Sequence, residues 1–174
     1  GIDEISRQKG HVYLTNVYDL KTGTLIWSGE GRSIESLDAF FSFFGPERTT
    51  QLQGICCDMW PAFINAVKAK APQATLVFDK FHIVKQLTEA VDTVRRQEIN
   101  EKGKEHQKLV AGSRYIWLKN PWNLTDRQKA SLSYLETLNL TIHRAYLLKE
   151  DFQRFWRYSS PAWAGKFLDD WCTR

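Results

Sequence analysis

The stretch QLQGICCDMWPAFINAV, residues 51–67, constrains the fold of this chain more than any other. Gln51–Cys57 is a short run of small and apolar residues, which predicts a core strand. Pro61 suits the first turn of a following helix, where a missing N–H is no loss. Asp58 therefore lies at the carboxyl end of a strand, where ligands collect in open sheets flanked by helices. An aspartate in this place also commonly caps the helix, and on this stretch alone the cap is the favoured interpretation.

Alternating apolar residues and turn signals predict five strands in all. They cover residues 1–6, 11–20, 24–28, 51–57 and 75–78. Helices are predicted after Ser33, which can act as a cap, from Pro61, and after Asp79. The first three strands suggest an antiparallel meander, and the later alternation favours parallel strands joined by crossovers. The predicted fold class is α/β, with a mixed sheet flanked by helices.

The sequence pattern changes near residue 104. Strand-like alternation stops, and five of the seven tryptophans follow. Thr125 with Gln128 forms a capping box, and Ser160-Pro161 opens a last helix. We therefore expect a core over residues 1–104 and an all-helical segment over residues 105–174. Its tryptophans are expected in the core more often than on a base-stacking surface, although a tryptophan beside an arginine can stack on a base.

Composition argues against membrane-spanning and disulfide-stapled proteins. The chain has 174 residues, and 43% of them are hydrophobic, which is enough for a packed domain. No window of about 18 uninterrupted apolar residues occurs, so no membrane span is predicted. Cys56, Cys57 and Cys172 lack Cys-x-x-Cys spacing, and we interpret them as reduced, buried thiols of a cytosolic protein.

Charge is distributed unevenly along the chain. Residues 1–79 hold seven Lys or Arg and nine Asp or Glu, whereas residues 80–157 hold fifteen and nine. An acidic part joined to a basic part fits a cation site beside a polyanion path. A solvated helical surface rich in Lys and Arg gives the same pattern, and taken alone it is the simpler explanation.

Two aspartates on predicted strands form a candidate metal site. Asp3 lies in the first strand, although aspartate is depleted in strands, and Asp58 ends the fourth. If these strands are neighbours in the sheet, the two side chains can face each other. Mg²⁺ binds few carboxylates and completes its shell with water and phosphate oxygens. Aspartates at such a spacing are common, so the spacing does not define a site by itself.

Several strings in the chain resemble one protein family. They are GIDE, KGHVYLTNVYDL, GEGRS, DMWPAFINAV, FDKFHIVKQL, LTDRQ and AYLLKEDFQRFW. Together they resemble the catalytic domain of bacterial DDE transposases, in particular the insertion-sequence family named after ISL-three. The resemblance implies a ribonuclease-H-like fold with a helical insertion. It also implies that Asp3 and Asp58 are catalytic carboxylates that bind Mg²⁺ or Mn²⁺.

The resemblance adds supporting residues and a gap. The string Asp79-Lys80-Phe81-His82 is similar to a D-x-x-H pattern of related transposases, so Asp79 and His82 are carried over as supporting residues. A histidine in a first helical turn is about as often an ordinary polar residue. The family's third carboxylate, a Glu on a late helix, is expected after Arg174. Four acidic residues of the helical segment are interpreted as surface charges: Glu136, Glu150, Asp169 and Asp170.

The resemblance further implies transposition, in which a phosphodiester at the transposon end is hydrolysed and the DNA strand is transferred to a target. We expect an excised piece of a bacterial, nucleoid-associated protein that forms homo-oligomers on DNA. Without the third carboxylate, we expect this piece to be inactive alone. Five basic residues are candidates for contacts with the DNA backbone: Lys85, Arg95, Arg96, Lys102 and Lys104. The alternatives are a ribonuclease H or junction resolvase on the same fold, and a non-catalytic DNA-binding remnant.

Overall fold

The computed structural model describes residues 1–8, 12–138 and 140–174. The chain divides into two compact units, Gly1–Ile83 and Val84–Arg174. This boundary lies inside a long helix, about twenty residues before the change of sequence pattern at residue 104. The reason is that this helix contributes Val91 to the apolar core of the second unit.

The first unit has mixed α/β structure. Its strands are β1 (Ile2–Gln8), β2 (Val12–Asp19), β3 (Thr24–Glu30), β4 (Gly54–Cys57) and β5 (Thr75–Phe78). Its helices are α1 (Ile34–Phe44), α2 (Pro46–Thr50), α3 (Pro61–Lys70) and the first turn of α4 (Lys80–Leu109). The predicted strands and helices are thus present in the predicted order. The predicted start of the second strand, at His11, lies outside the described residues.

The strands form two ladders. β1, β2 and β3 make an antiparallel meander, in which Ile2 pairs with Val17, and β4 and β5 pair in parallel. The sequence predicts one mixed sheet, and in this respect the structure differs. β1 lies in contact with β4, but no ladder joins them within the described ranges. Side chains make the connection instead, because Ile2 and Ile55 belong to one buried cluster.

Helices α1 and α3 cover one face of these strands. Leu37, Phe63 and Val67 are at most 1% exposed, and Phe40 and Phe41 lie beside them in the same cluster. Burying each such side chain contributes about 2 kcal/mol. The face of α3 that carries Phe63 and Val67 is therefore the face that packs.

The start of β4 corrects the sequence prediction. Pro46 begins a short helix that the sequence does not predict, because proline fits a first helical turn. Gln51 ends that helix, and its N–H donates to the Arg48 carbonyl at 3.2 Å. The strand consequently begins at Gly54 and not at Gln51.

All regular secondary structure of the second unit is helical within its described residues. After α4 come α5 (Arg114–Leu118), α6 (Asp126–Glu136), α7 (Thr141–Phe152), α8 (Pro161–Cys172) and two short 3₁₀ helices, Pro121–Asn123 and Gln153–Arg157. The predicted capping box is present: the Gln128 N–H donates to Thr125 Oγ1 at 3.3 Å, and Gln128 Oε1 accepts the Thr125 N–H at 3.1 Å. Within the described part of the chain, no helix is both long and apolar enough to cross a membrane.

The core of the second unit is built around Trp117 and Lys149. Trp117 is fully buried, and its indole N–H donates to Ser113 Oγ at 2.9 Å. Lys149 is 2% exposed; its ammonium donates to the carbonyls of Trp117 and Lys119 and pairs with Glu150 Oε1 at 3.0 Å. Glu150 is therefore a partner of a buried cation and not the surface charge that the sequence suggests.

Two further expectations about burial are wrong in part. Trp122 and Trp163 are 68% and 62% exposed, so the tryptophans of this unit are not all core residues. Cys172 is exposed near the end of α8, whereas Cys57 is buried and Cys56 is half-buried. Neighbouring core packing decides these outcomes, and the composition of a helix does not specify it.

Candidate active site

Asp58 and Asp79 follow two paired parallel strands at the same edge. Cys57 and Phe78 are partners in the β4–β5 register, and each aspartate comes one residue later. The Asp79 N–H donates to the Cys57 carbonyl at 2.9 Å, which extends the pairing to the strand ends. The two carboxylates therefore leave the sheet at neighbouring positions, at the carboxyl ends of parallel strands.

Each of these aspartates is held by a tight turn. Asp58 Oδ1 accepts the Trp60 N–H, and Asp79 Oδ1 accepts the Phe81 N–H, both at 2.7 Å. The residue that caps α3 is Trp60, two positions after Asp58. The helix-cap interpretation of Asp58 is therefore wrong. Its carboxylate orients a turn ahead of the helix.

Asp3 lies within β1, opposite Asn16 of β2. Its side chain is 55% exposed, and its Oδ1 accepts the Glu4 N–H at 2.8 Å. The structure also brings His82, in the first turn of α4, to this aspartate: His82 Nε2 lies 4.0 Å from Asp3 Oδ1. Asp3 and His82 are thus neighbours, although they are far apart in sequence.

The burial of neighbouring strand residues shows which way Asp3 points. Ile2, Ile55 and Cys57 are all buried in the cluster under α1 and α3. Because successive side chains of a strand point to opposite faces, Asp3 points away from that cluster. Asp58 directly follows Cys57, the last residue of β4, and leads into the turn before α3.

An arginine missed by the sequence analysis connects the strands around this edge. Arg32 follows β3, and its Nη1 lies 3.3 Å from Glu4 Oε1 of β1. Its guanidinium carbon lies 4.1 Å from the ring centre of Tyr13 and 5.0 Å from that of Trp60. The Trp60 indole N–H donates to the Arg32 carbonyl at 3.1 Å. The sequence features that could have pointed to this contact are Trp60, two residues after Asp58, and Arg32 in the GEGRS string.

The electrostatic surroundings of the strand ends are negative. Burial, and then the Asp58 carboxylate, raises the pKa of Cys57 to about 12. Burial and the Asp79 carboxylate likewise raise the pKa of Cys56. Both thiols are therefore neutral at pH 7; burial is the main cause of the raised pKa values, and the carboxylates of Asp58 and Asp79 add to it.

A cavity of about 750 Å³ lies beside the first residues of β1 and β4. Its walls include Gly1, Tyr18, Phe44 and Gln51–Ile55, and none of the predicted site residues. The open strand edge at Asp58 and Asp79 is consequently a different place.

The predicted DNA-contact residues have different surroundings. Lys85 and Lys104 are exposed, whereas Arg95 and Arg96 are bound to Asp92, which is 4% exposed. Arg95 Nε and Arg96 Nη2 lie 2.8 and 2.7 Å from Asp92 oxygens. Burial opposes ionisation of Asp92, but the hydrogen bonds from both arginines outweigh it and lower its pKa.

Arg114, which the sequence analysis did not select, joins this arginine cluster, defined as Arg95, Arg96 and Arg114 around Asp92. Its Nε lies 3.6 Å from Asp92 Oδ1, and its side chain is 52% exposed. The side chain of Arg96 is 66% exposed and that of Arg95 only 17%. Arg96 and Arg114 also line a hollow of about 420 Å³, with Glu89 at its wall. The accessible cations of the cluster are therefore Arg96 and Arg114.

Lys102 is tied to a second buried carboxylate of α4. Glu98, 3% exposed, lies 2.7 Å from Lys102 Nζ and accepts the backbone N–H groups of Thr141 and Ile142 at 3.0 and 2.9 Å. Burial disfavours the charged form, but these hydrogen bonds outweigh it and lower the pKa of Glu98. Glu98 thus provides acceptors for the free backbone N–H groups at the start of α7, and Lys102 neutralises the Glu98 charge.

The donor atoms at the strand edge fit a hard divalent cation. Within the described ranges, no three His, Cys, Asp or Glu side chains converge on one point. Mg²⁺ needs only one or two protein carboxylates when substrate phosphates and water complete its shell. Asp3 and Asp58 are the candidate carboxylate ligands, and the side chain of Asp3 is 55% exposed.

Comparison with known proteins identifies the class. A sequence model of transposases, the DDE type named after ISL-three, matches residues 1–174. The chain therefore belongs to the ISL-three family of DDE transposases, as the resemblance in its sequence strings implies.

Two relatives illustrate the match. The chain is 33% identical over 173 residues to the transposase for insertion sequence element IS1001 of Bordetella parapertussis, covering 98% of this chain and 43% of the relative. It is also 33% identical over 195 residues to the transposase for insertion sequence element IS1557 of Mycobacterium tuberculosis (strain H37Rv), covering 98% and 44%. The chain spans less than half the length of these curated relatives. No solved structure matches it significantly.

Proposed function

We propose that this chain is the ribonuclease-H-like catalytic core of an insertion-sequence transposase, which hydrolyses a DNA phosphodiester and transfers the strand. One observation carries the proposal: two parallel strands end side by side in Asp58 and Asp79, next to the strand that holds Asp3. Carboxylates at the ends of neighbouring strands are what a hard-cation site in such a fold needs.

In this proposal Asp3 and Asp58 hold Mg²⁺ or Mn²⁺. When bound, two such ions activate the attacking oxygen and stabilise the leaving one. The Asp58 carboxylate is oriented in advance by its bond to the Trp60 N–H, at 2.7 Å. His82 and Asp79 act as supporting residues that contribute to the electrostatic environment of the two ligands. His82 Nε2 lies 4.0 Å from Asp3 Oδ1.

The remaining parts of the proposal concern the whole transposase. A third carboxylate after Arg174 completes the metal site, so the chain of 174 residues does not catalyse by itself. The parent protein assembles as a homo-oligomer on transposon ends and target DNA in the bacterial nucleoid. The family membership supports these statements, and the relatives named above are transposases of insertion sequences.

Removal of divalent cations tests the proposed chemistry. We expect EDTA to lower cleavage of transposon-end DNA by the parent transposase at least about 100-fold, because the electrostatic stabilisation of the transition state is lost. Mg²⁺ or Mn²⁺ should restore the rate, and cleavage is measured on end-labelled duplex. Undiminished cleavage in EDTA would contradict the proposal. Binding without cleavage under all metal conditions would favour the non-catalytic remnant.

The arginine cluster is proposed as a contact for the DNA backbone. Asp92 fixes the guanidinium groups, while the exposed parts of Arg96 and Arg114 remain for phosphate. Arg95 is carried as a structural member, since its side chain is only 17% exposed. Lys85 and Lys104 are exposed and available for the same path, and Lys102 is engaged by Glu98.

Substituting both exposed arginines tests this contact. We expect Arg96→Ala with Arg114→Ala to weaken binding of a duplex and to reduce the slope of log affinity against log salt by about two, because each phosphate contact contributes about 0.9. The measurement is fluorescence anisotropy over a salt series. Lys129→Ala is the matched control, because Lys129 is paired with the fully exposed Asp126 on α6. Equal slopes in the double variant and the control would exclude the contact.

A further inference from the structure

The separation of Asp3 and Asp58 is not set by a backbone ladder in the described part of the chain. β1 pairs with β2 and β4 pairs with β5, while β1 and β4 only touch. A metal ligand displaced by about 1 Å loses much of its value, so side chains must help to keep these strands in place. This makes the side-chain bridges between β1 and the β4–α3 turn important.

Arg32 bridges these two elements. Its guanidinium pairs with Glu4, the residue after Asp3, at 3.3 Å. Its carbonyl accepts the Trp60 indole N–H, and Trp60 in turn donates its backbone N–H to Asp58. A continuous set of contacts therefore runs from the Asp58 turn through Trp60 and Arg32 to Glu4, the neighbour of Asp3.

The position of Arg32 is itself well determined. Gly31, at a φ of +86°, donates its N–H to the Tyr13 carbonyl at 2.8 Å and accepts the Thr15 hydroxyl at 2.7 Å. The guanidinium carbon lies close to the rings of both Tyr13 and Trp60. Because a planar guanidinium stacks on aromatic faces, these two rings help to hold the side chain.

Glu4 depends on this arginine. The Glu4 side chain is 21% exposed, and its Oε2 is buried without a hydrogen bond among the described residues. Arg32 is the cation that compensates this carboxylate in the described structure. Loss of Arg32 would leave a partly buried charge on β1 directly beside Asp3, and the strand would shift or admit water.

We propose that Arg32 is a positioning residue that sets the separation of the two metal ligands, Asp3 and Asp58, by clamping the turn at Trp60 to β1. This inference rests on the proposed metal site and names a residue that supports it. Arg32 touches neither the cation nor the substrate in this assignment. Its effect reaches the site through Trp60 and Glu4.

Direct Mn²⁺ binding tests the clamp without catalysis. In the parent transposase, titrated with Mn²⁺ and followed by electron paramagnetic resonance of free Mn²⁺, Arg32→Ala should raise the Kd about tenfold, the size typical for residues that orient ligands. Trp60→Phe, which removes the bond to the Arg32 carbonyl, should raise it about fivefold. Arg32→Lys retains the pair with Glu4 and loses the planar stacking, so its Kd should fall between wild type and Arg32→Ala.

Arg48→Ala is the matched control. Arg48 is an arginine of the same unit whose guanidinium carbon lies 5.3 Å from the ring centre of Phe44, away from the two carboxylates. Its Kd should equal that of the unsubstituted chain. Circular dichroism and thermal melting establish that each variant is folded. If Arg32→Ala does not fold, Trp60→Phe and Arg32→Lys decide the matter alone.

The outcomes separate the clamp from the metal site. If Asp58→Asn removes Mn²⁺ binding while folded Arg32 and Trp60 variants bind as tightly as the unsubstituted chain, the clamp is wrong and the site stands. If Asp58→Asn has no effect, or the unsubstituted parent transposase binds no Mn²⁺, the metal site is wrong and the clamp is wrong with it. If Arg48→Ala raises the Kd for Mn²⁺ as much as Arg32→Ala does, the clamp is also wrong.

Discussion

Asp58→Asn is expected to abolish DNA cleavage by the parent transposase, with a loss of at least about 1000-fold, while DNA affinity is retained. Asparagine has nearly the same shape, and its carbonyl oxygen can still accept the Trp60 N–H that Asp58 Oδ1 accepts at 2.7 Å. The turn is therefore preserved. What disappears is the negative charge that a hard cation requires. Cleavage of end-labelled transposon-end duplex and anisotropy measurements of binding separate the two effects.

Asp19→Asn provides an unusually close control for this substitution. Asp19 also ends a strand, and its Oδ1 accepts the Lys21 N–H at 2.9 Å, but it lines the cavity beside the first residues of β1 and β4. Cleavage should be unchanged in Asp19→Asn. Substantial cleavage by Asp58→Asn, or an equal loss in both variants, would remove Asp58 from the catalytic assignment.

Glu98→Gln should lower the free energy of unfolding by about 3 kcal/mol at pH 7. The Glu98 carboxylate accepts two backbone N–H groups at the start of α7 and pairs with Lys102. A glutamine offers one acceptor oxygen and turns an NH₂ group toward a donor, which leaves an amide unsatisfied. Urea denaturation measures the difference. Glu101→Gln, an exposed position on the same helix, should change stability by less than about 0.5 kcal/mol.

The pH dependence of this loss has a definite sign. Hydrogen bonds lower the pKa of folded Glu98 despite its burial, so the charged form stabilises the fold above the unfolded pKa of about 4.3. That contribution is lost as pH falls through the lower, folded pKa. Lys102 Nζ and His106 Nε2 face this carboxylate at 2.7 and 3.8 Å. The gap between wild type and Glu98→Gln should therefore narrow below about pH 4, and a gap independent of pH would contradict the assignment.

Local patterns predict the strand-to-helix geometry of the first unit well. β5 has the predicted bounds, α3 begins at Pro61, and Asp58 follows a core strand. These features depend on alternation, on proline at a first turn and on chain order, all of which are local. The resemblance to DDE transposases likewise rests on short strings, and the family is confirmed.

Long-range pairing explains what the sequence analysis missed. Glu98 binds amides 43 and 44 residues further along the chain, and Arg32 pairs with Glu4 28 residues earlier. The absence of a ladder between β1 and β4 in the described residues also depends on tertiary packing. Arg96 is basic and on a helix, as expected of a phosphate contact, but only the fold reveals that a buried Asp92 holds it. No local pattern contains this information.

The turns at the ends of β4 and β5 have a consequence for ligand denticity. Oδ1 of Asp58 and of Asp79 is already engaged by an amide two residues on. A cation bound at Asp58 would therefore meet Oδ2 of a side chain whose torsions are set by the turn, which would favour monodentate coordination. Because the turn already restricts the side-chain torsions, binding of a cation would cost little additional side-chain conformational entropy.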